Sequence, residues 1–431
     1  MREQPWRRFV LIFTIANNLL RLHYFDRSGL IISRPVDILK NPVRLLEVLN
    51  TLTLAHTNNL GYDPTMHMCD PACKGSHADL RENAIGWIEN HDKSHLSIMS
   101  TSDGTEFALK DCWVAEDKKN HEVTVLKMVE GIPNVVKLVA HWDVLYDGEP
   151  DCTYRIRASH GVCTSGFIRR FHRRLLLTPC GEPLVLYSSK LELLRAFHDF
   201  VSAHSLMLAS HVLHGDLSPN NFIIHDGQGY FIDFDHARII VEGAVSAPSE
   251  GTGTRPYMSI RLLREGIAKG ATIQHTASDD LESLFFIFVE FATTFDGPRG
   301  FMKDEGRRPL WVDKFETSGA DPWLAKQAYV LAPPNDSSLM EKTTSFFAPF
   351  SQIIQEWRHL ILGAASNPSD PPPLTALLNK WISQLSKLPV DAPTEIMVPM
   401  ASSSRLGHPP HDDVRSSAGA RRSMRIQQRV S

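Results

Sequence analysis

An acid, an amide and a second acid lie at short intervals in the middle of the chain, and the residues between them constrain how that region folds. Asp216 precedes Asn221 by five residues, and Asp233 follows Asn221 by twelve. The Asp-Gly pair at 226–227 and the apolar run Tyr230–Ile232 predict a β-hairpin whose second strand leads into Asp233. The pattern therefore predicts two polar loops, joined by a hairpin, that present these oxygen-bearing side chains.

Phosphoryl transfer from ATP needs few groups from a protein. It requires a carboxylate that orients the attacking hydroxyl and accepts its proton, and it requires oxygen ligands for magnesium. Asp216 suits the first role, and Asn221 with Asp233 suits the second, because Mg²⁺ prefers carboxylate, amide and water oxygens. Asp235 is a candidate further ligand. We therefore predict a phosphoryl-transfer site that uses ATP and Mg²⁺; the alternative is that both segments are ordinary polar turns.

A lysine and a glutamate upstream are candidates for the phosphate-binding ion pair of such a site. Phe107–Lys110 has the pattern of a strand that ends in a lysine, and Glu122 opens a helical pattern. In protein kinases this pair holds the α and β phosphates. A lysine at the end of a strand is more often a solvated residue, and Lys118 and Lys119 offer Glu122 other partners. The position of Lys110, about a hundred residues before the catalytic loop, favours the functional interpretation.

The two loops alone do not identify the acceptor of the phosphate. Gly215-Asp216 and Asp233-Phe234-Asp235 resemble the pattern of aminoglycoside and choline kinases, which phosphorylate small molecules. Gly253–Ser259, in contrast, looks like the end of a protein-kinase activation segment, which forms a platform for a peptide. Ser278–Leu284 resembles the buried helix of casein-kinase-like enzymes, whose leading acid, here Asp280, braces the catalytic loop. The alternative is that Asp280 is a helix N-cap, which needs only an Asp before an apolar run, and the two roles are compatible.

Taken together, the motifs resemble the fungal-type protein kinase family, and the resemblance covers most of the chain. The motifs that carry it are Arg21–Gly29, Leu60–Thr65, Lys110–Trp113, Glu122, Asp216–Asn221, Ile232–Ala237, Gly253–Ser259 and Asp280–Ser283. The resemblance implies an α+β, two-lobed protein kinase-like fold and a serine/threonine protein kinase that acts on a protein substrate. It also implies that Thr178 and Cys180 lie in the hinge, where backbone groups hydrogen-bond the adenine of ATP.

The resemblance and the composition together divide the chain into four predicted segments. They are a family-specific α/β extension at 1–78, a kinase small lobe at 79–183, a mainly helical large lobe at 184–388, and a disordered basic tail at 389–431. Predicted strands are Phe9–Ile15, Leu19–Tyr24, Leu30–Ser33, Ser97–Ser100, Glu106–Lys110, Val135–Val144 and Leu175–Leu177. Predicted helices are Pro42–Leu54, Lys190–Ala209, Thr276–Thr293 and Leu374–Leu388.

Departures from the active-kinase pattern leave two other functions open. Between Leu80 and Lys110 the chain has no Gly-x-Gly-x-x-Gly loop to let the backbone approach the phosphates. Asp235 replaces a glycine, and Gly215 replaces an arginine that would pair with an activation-loop phosphate. The alternatives are a catalytically weak or dead pseudokinase that acts as a binding module, and a small-molecule phosphotransferase of the aminoglycoside-kinase type. Candidate acceptors of a regulatory phosphate are Ser246, Ser249, Thr252 and Thr254.

Composition argues against several other classes of protein. The formal net charge of −4 provides no basic field of the kind that nucleic-acid binding needs, so we expect no nucleic-acid partner. No stretch approaches the roughly 20 apolar residues that span a bilayer, so we expect no integral membrane protein. The six cysteines are scattered and no signal peptide is evident, so we expect free thiols in a reducing, cytoplasmic or nuclear compartment.

Three smaller features have ordinary interpretations. Cys69 and Cys73 lack the second pair of cysteines that a zinc site of this spacing needs. The basic run Arg169–Arg174 is interpreted as a solvated face. The arginines at 421–425 form a weak nuclear-localisation candidate in the predicted tail.

Overall fold

Antiparallel sheets and helices make up the chain, as the predicted α+β class requires. The computed structural model describes residues 7–68, 84–89, 95–99, 106–241, 253–268, 273–303, 312, 322–331, 343–365, 373–387 and 424–427. The backbone divides into two units with their own cores. Unit 1 comprises Met1–Val123, Lys137–Cys180 and Gly419–Ser431, and unit 2 comprises Thr124–Val136 and Gly181–Ala418.

Unit 1 begins with a small antiparallel sheet followed by a helix. Its strands are β1 (Phe9–Ala16), β2 (Leu19–Asp26), β3 (Gly29–Ile32) and β4 (Val36–Asp37), with β2 paired to each of the others. Asn17 and Asn18 both have positive φ, which a two-residue hairpin turn between β1 and β2 requires. Helix α1 (Pro42–Leu54) has the bounds predicted from its apolar periodicity. Periodicity in the sequence thus located the strands and the helix of this region.

A larger antiparallel sheet forms the rest of unit 1. Its strands run in the order β5 (Met66–Met68), β6 (Ala84–Glu89), β7 (His95–Met99), β18 (Met424–Gln427), β8 (Phe107–Ala115), β12 (Arg170–Thr178) and β9 (Lys137–Asp143). A short hairpin, β10 (Leu145–Tyr146) with β11 (Glu149–Pro150), and helix α3 (Thr153–Ser159) lie between β9 and β12. The sheet buries a core of Met66, Ile88, Leu109, Trp142 and Leu176. Apart from β18, the tail predicted to be disordered lies outside the described residues.

Helices dominate unit 2. They are α4 (Lys190–Ala209), α5 (Ala277–Thr294), α6 (Pro322–Leu331), α7 (Ser351–Ala365) and α8 (Leu374–Leu385), and α2 (His121–Met128) enters from unit 1. Small antiparallel pairings join β13 (Glu182–Pro183) to β15 (Phe222–His225), β15 to β16 (Gln228–Phe231), and β14 (Val212–Leu213) to β17 (Arg238–Ile239). An aromatic cluster from α4, α5 and α7 fills the core, with Phe197, Phe285, Phe288 and Trp357 fully or almost fully buried. The bounds of α4 match those predicted from its amphipathic pattern.

The basic run Arg169–Arg174 is buried over its C-terminal half, so its interpretation as a solvated face was wrong. Arg174 has 0% of its surface exposed and forms ion pairs with Asp63 and Asp111. These carboxylates replace the water that an arginine loses on burial, which is the condition under which buried charge is tolerated. Because Asp63 belongs to the predicted extension, the same ion pairs attach that extension to the strands of unit 1.

Histidine 172 joins this buried network from the other side. Its Nε2 lies 2.8 Å from Oδ1 of Asp111, and its Nδ1 lies 3.4 Å from Asp151. Burial alone lowers the pKa of His172, but the negative charges and hydrogen bonds of these two carboxylates raise it to about 9. Asp151 is paired in turn with Arg8, at 2.6 Å. Arginine and histidine therefore alternate with aspartate through the interior of unit 1.

Stability should fall as the pH rises through the titration of His172. The native pKa of about 9 exceeds the ordinary value of 6.5, so the folded chain binds the extra proton between these values. The stabilisation is full below pH 6.5 and is lost by about pH 9, a change of about 3 kcal/mol in the free energy of unfolding. Urea unfolding of the chain and of His172→Gln at several pH values measures it, since only the unaltered chain should show this component. Parallel pH profiles would contradict the prediction.

The described cysteines are thiols that form no disulfide, as predicted. They are Cys112, Cys152, Cys163 and Cys180. Cys69 and Cys73 lie outside the described residues, so the argument against a zinc site there stays a prediction. None of the helices in the described ranges is both long and apolar enough to cross a membrane.

Candidate active site

The loop that carries Asp216 and Asn221 is folded back on itself. It leaves β14 at Leu213 and ends in a 3₁₀ turn, Pro219–Asn221, that leads directly into β15. The side-chain amide of Asn221 donates a hydrogen bond of 2.6 Å to the main-chain carbonyl of Asp216. The amide nitrogen is the donor in this bond, and the amide oxygen takes no part in it. The structure therefore brings the two predicted residues together and holds the Asn221 amide in one orientation.

Thr254 holds one oxygen of the Asp216 carboxylate. The main-chain N–H and the hydroxyl of Thr254 both donate to Oδ1 of Asp216, at 2.7 and 2.8 Å. These two bonds fix the orientation of the carboxylate, and neither of them uses its second oxygen, Oδ2. The sequence predicts Thr254 as part of the peptide platform and as a candidate phosphate acceptor. The positioning role was not predicted, because the contact joins residues 38 positions apart.

Asp233 enters the site from the hairpin formed by β15 and β16. The main-chain N–H of Ile232 donates to the carbonyl of Asn221 at 3.0 Å, and Nε2 of His214 lies 3.0 Å from the carbonyl oxygen of Ile232. These bonds tie the first polar loop to the second. Asp233 itself has a φ of +63°, a left-handed conformation that few residues other than glycine adopt and that often marks a functional position.

A buried phenylalanine anchors the second loop. Phe234 is 0% exposed, and its ring centroid lies 5.0 Å from that of His214. Asp233 and Asp235 flank this anchor and are half-buried. Two carboxylates are thus held on a loop that is hydrogen-bonded to the loop carrying the Asn221 amide. Their oxygens are of the kind that Mg²⁺ prefers.

Lys110 and Glu122 form the predicted ion pair within unit 1. Lys110 lies on β8 and Glu122 lies in the first turn of α2, and the ammonium group contacts Oε1 of the carboxylate directly. Both side chains are almost completely buried. A buried pair of this kind holds the lysine in a fixed position, because the loss of either partner would leave an uncompensated charge. The competing interpretation of Lys110 as a solvated surface residue was wrong, while its role in phosphate binding stays a prediction.

Two further elements of the predicted nucleotide site are partly visible. Thr178 is the last residue of β12, and the side chain of Cys180, two positions on, is buried. Their assignment to an adenine-binding hinge stays a prediction. The segment between Leu80 and Lys110, where a glycine loop would lie, contains two glycines. Gly86 lies within β6, and Gly104 lies outside the described residues.

Comparison with known proteins identifies the family. A family model described as fungal protein kinase matches residues 1–167 and 160–291. The chain belongs to the fungal protein kinase family. The match begins in the N-terminal segment and extends through the loops that carry Asp216 and Asp233 to helix α5. A search of curated proteins finds no match.

Asp280 braces the loop that carries Asp216 from helix α5. Its carboxylate accepts hydrogen bonds from the main-chain N–H groups of His214 and Gly215, at 3.0 and 3.3 Å. The rings of His204 and His275 lie 3.2 and 2.7 Å from the same carboxylate. Burial alone would raise the pKa of Asp280, but the charge of His275 and the bonds from both histidines lower it well below its usual range.

The alternative interpretation of Asp280 as a helix N-cap was wrong. The N-cap of α5 is Thr276, which forms a capping box with Asp279. Asp280 is therefore available to hold the backbone immediately before Asp216. Because it is only 1% exposed and fully engaged, its removal would leave buried N–H groups without an acceptor.

The segment predicted to end the activation loop is bound to α5 and α6 of this family member. Ser259 donates to Asp279 at 2.6 Å, and the N–H of Ile260 donates to Glu282 at 2.7 Å. The ammonium group of Lys326, on α6, donates to the carbonyl of Met258 at 2.5 Å. Burial raises the pKa of Glu282 and lowers that of Lys326. The residues that follow Thr254 are thus fixed at several points, which in turn fixes Thr254 beside Asp216.

Proposed function

We propose that this chain is an ATP-dependent protein kinase that transfers the γ-phosphate of ATP to a serine or threonine hydroxyl of a protein. The observation that carries the proposal is the Asp216 carboxylate, which Thr254 holds through Oδ1 next to Asn221. Membership of the fungal protein kinase family supports it. In this proposal residues 79–183 are the small lobe and 184–388 the large lobe of a kinase fold, and 1–78 are an extension specific to the family.

Each residue of the proposed site has a distinct task. Oδ2 of Asp216 orients the attacking hydroxyl and accepts its proton as the oxygen–phosphorus bond forms. Lys110, held by Glu122, binds the α and β phosphates, and backbone groups around Thr178 and Cys180 bind the adenine. The γ-phosphoryl group moves to the acceptor oxygen, and ADP leaves with the electrons of the broken bond. The proton taken by Asp216 passes to solvent after the product departs.

The donor groups of unit 2 fit magnesium. An amide oxygen from Asn221 and carboxylates from Asp233 and Asp235 are hard oxygen ligands of the kind that Mg²⁺ takes, and no soft sulfur ligand is among them. The unusual φ of Asp233 and the buried Phe234 fix the backbone of the acidic loop. When bound, the metal would neutralise charge on the phosphates.

A protein acceptor is favoured over a small molecule by the segment from Gly253 to Ser259. Bonds from Ser259, Ile260 and Lys326 hold this segment and its flank against the helices of unit 2. A fixed segment beside the proposed base, with a 3₁₀ turn at Arg255–Tyr257, is a suitable surface for a peptide. The pair of acids around Phe234 is the feature that a small-molecule phosphotransferase would share, so that activity is the second candidate.

An acceptor screen distinguishes these functions. The purified chain is incubated with γ-labelled ATP and Mg²⁺ against a peptide array and a panel of hydroxyl-bearing metabolites, with Asp216→Asn as the control. The proposal expects label on serine or threonine peptides that disappears in the control. Label confined to metabolites would replace the protein-kinase assignment with the second candidate, and label on tyrosine alone would correct the acceptor class.

A further inference from the structure

The small N-terminal sheet of unit 1 exposes apolar side chains on the face that should be polar. An antiparallel sheet with one solvated face usually alternates apolar and polar residues. Strand β1 reads FVLIFTIA and contains no charged residue. Phe9 is buried on the inner face of the sheet. The strand register places Tyr24 and Leu20 of β2 on the same face, and both are buried. The alternate residues of β1 point to the opposite face, and all of them except Thr14 are apolar.

The strand register brings these outward residues into continuous rows. Ile12 pairs with His23, which pairs with Ile32 on β3. Ile12 is 43% exposed and Ile32 is 47% exposed. The next row joins Val10, Phe25 and Leu30, and Leu30 is 42% exposed. We call the five apolar members of these rows, Val10, Ile12, Phe25, Leu30 and Ile32, the outer patch.

The free edge of β1 lies beside the outer patch. Leu22 on β2 exchanges hydrogen bonds with Ser33 on the side of β3, so its register partner Phe13 directs its main-chain groups away from β2. Because these directions alternate along a strand, the main-chain groups of Phe9, Leu11 and Ile15 point to the same free edge as those of Phe13. Gly61 lies against the carbonyl of Phe9 at the start of this edge. Among the described residues, β2 is the only strand that pairs with β1. An uncharged edge of this length, without proline, lysine or an inward charge, lacks the usual protection against pairing with another chain.

Helix α1 adds a second surface that lacks cover. None of its 13 residues is buried, although the helix carries Val43, Leu46, Leu49 and Leu54. A helix of about this length is marginal in water unless an apolar face packs against something. The N-terminal region of unit 1 therefore has three exposed features among its described residues. They are the free edge of β1, the outer patch and the apolar side chains of α1.

We propose that a second copy of this chain occupies the free edge through antiparallel pairing of β1 with β1. A two-fold axis places a strand opposite itself, so any charged residue near the axis would face a like charge from the other copy. The absence of charge from Phe9 to Asn18 satisfies this requirement along the entire strand. Because Gly61 covers the start of the edge, the pairing is centred near Phe13, with Ile12 of each copy opposite Thr14 of the other. The two sheets then join into one, and the outer patches of the two copies become neighbours on one face of it.

The oligomeric state of the full chain tests this proposal. Sedimentation velocity or light scattering over a range of concentration should give twice the mass of the chain. The double variant Ile12→Lys/Thr14→Lys places four like charges at the proposed contact and should sediment as a monomer. Val139→Lys, at a similarly exposed position on the edge strand β9, is the matched control and should remain a dimer. At a chain concentration of about 100 µM, a dimer with a Kd well below this value would have formed. If the unaltered chain is still a monomer there, the proposal is overturned.

A second measurement keeps the test valid if the lysine variant does not fold. Ile12→Cys/Thr14→Cys should form an interchain disulfide under mild oxidation, because the two positions face each other across the proposed axis at a distance typical of cross-strand pairs. The unaltered chain, treated identically, controls for its own exposed Cys163. A dimer that survives the lysine substitutions, or the absence of this cross-link, would exclude β1 as the contact.

Discussion

Replacement of Asp216 by asparagine is expected to lower the rate of phosphoryl transfer by about 10²–10⁴-fold, the usual contribution of a positioned general base. The asparagine oxygen can still accept both hydrogen bonds from Thr254, so the loop should keep its structure while the proton acceptor is lost. We therefore expect an unchanged melting temperature and unchanged affinity for ATP. The measurement is the initial rate of label transfer from γ-labelled ATP to the best peptide of the acceptor screen.

Thr254 provides the matched comparison for this experiment. Thr254→Val removes the hydroxyl donor but keeps the main-chain N–H that also binds Oδ1 of Asp216. Its effect on the rate should therefore be smaller than that of Asp216→Asn, since it loosens the base without removing it. Equal rates for the Asp216→Asn variant and the unaltered chain would show that Asp216 is not the base.

Removal of the Asp280 carboxylate is expected to have the largest effect on stability. Asp280→Ala leaves the N–H groups of His214 and Gly215 without an acceptor and removes the partner of His204 and His275. Breaking a buried, hydrogen-bonded charge pair costs about 3–5 kcal/mol. Urea unfolding should show this loss as a lower midpoint. Activity should fall as well, because Asp280 holds the backbone next to Asp216.

Asp226 is the matched control for Asp280. Its side chain is 90% exposed in the turn between β15 and β16, and Asp226→Asn keeps a residue that tolerates the positive φ of this position. A change within about 0.5 kcal/mol is expected there. If Asp280→Ala were as mild as Asp226→Asn, the account of the brace would be wrong.

Local patterns in the sequence were sufficient to predict much of the secondary structure. The bounds of α1 and α4 follow from apolar residues at helical spacing, and β1 to β3 follow from short apolar runs separated by turn residues. Such signals are read within a few residues of each other. The pairing of Lys110 with Glu122 was also predictable, because the two residues are twelve positions apart and occur in a known arrangement.

Contacts between distant segments were not predictable in the same way. The run at 169–174 is charged, and nothing near it in the sequence indicates that Asp63 and Asp111 lie opposite, 111 and 63 residues away. The hydrogen bonds from Thr254 to Asp216 and from the main-chain N–H of His214 to Asp280 depend likewise on how the loops fold over α5. Burial of a polar group requires a partner, but the sequence does not say which part of the chain supplies it.

Magnesium-dependent binding of ATP tests the central claim most directly. A ligand present at about 100 times its Kd stabilises the folded chain by about 2.7 kcal/mol, which raises the melting temperature by several degrees. We expect this shift with Mg²⁺ and ATP for the unaltered chain and for Asp226→Asn. We expect Lys110→Met and Asp233→Ala to lose most of it. No shift in the unaltered chain at millimolar ATP, or a shift that both site variants retain, would contradict the assignment of these residues to a phosphoryl-transfer site.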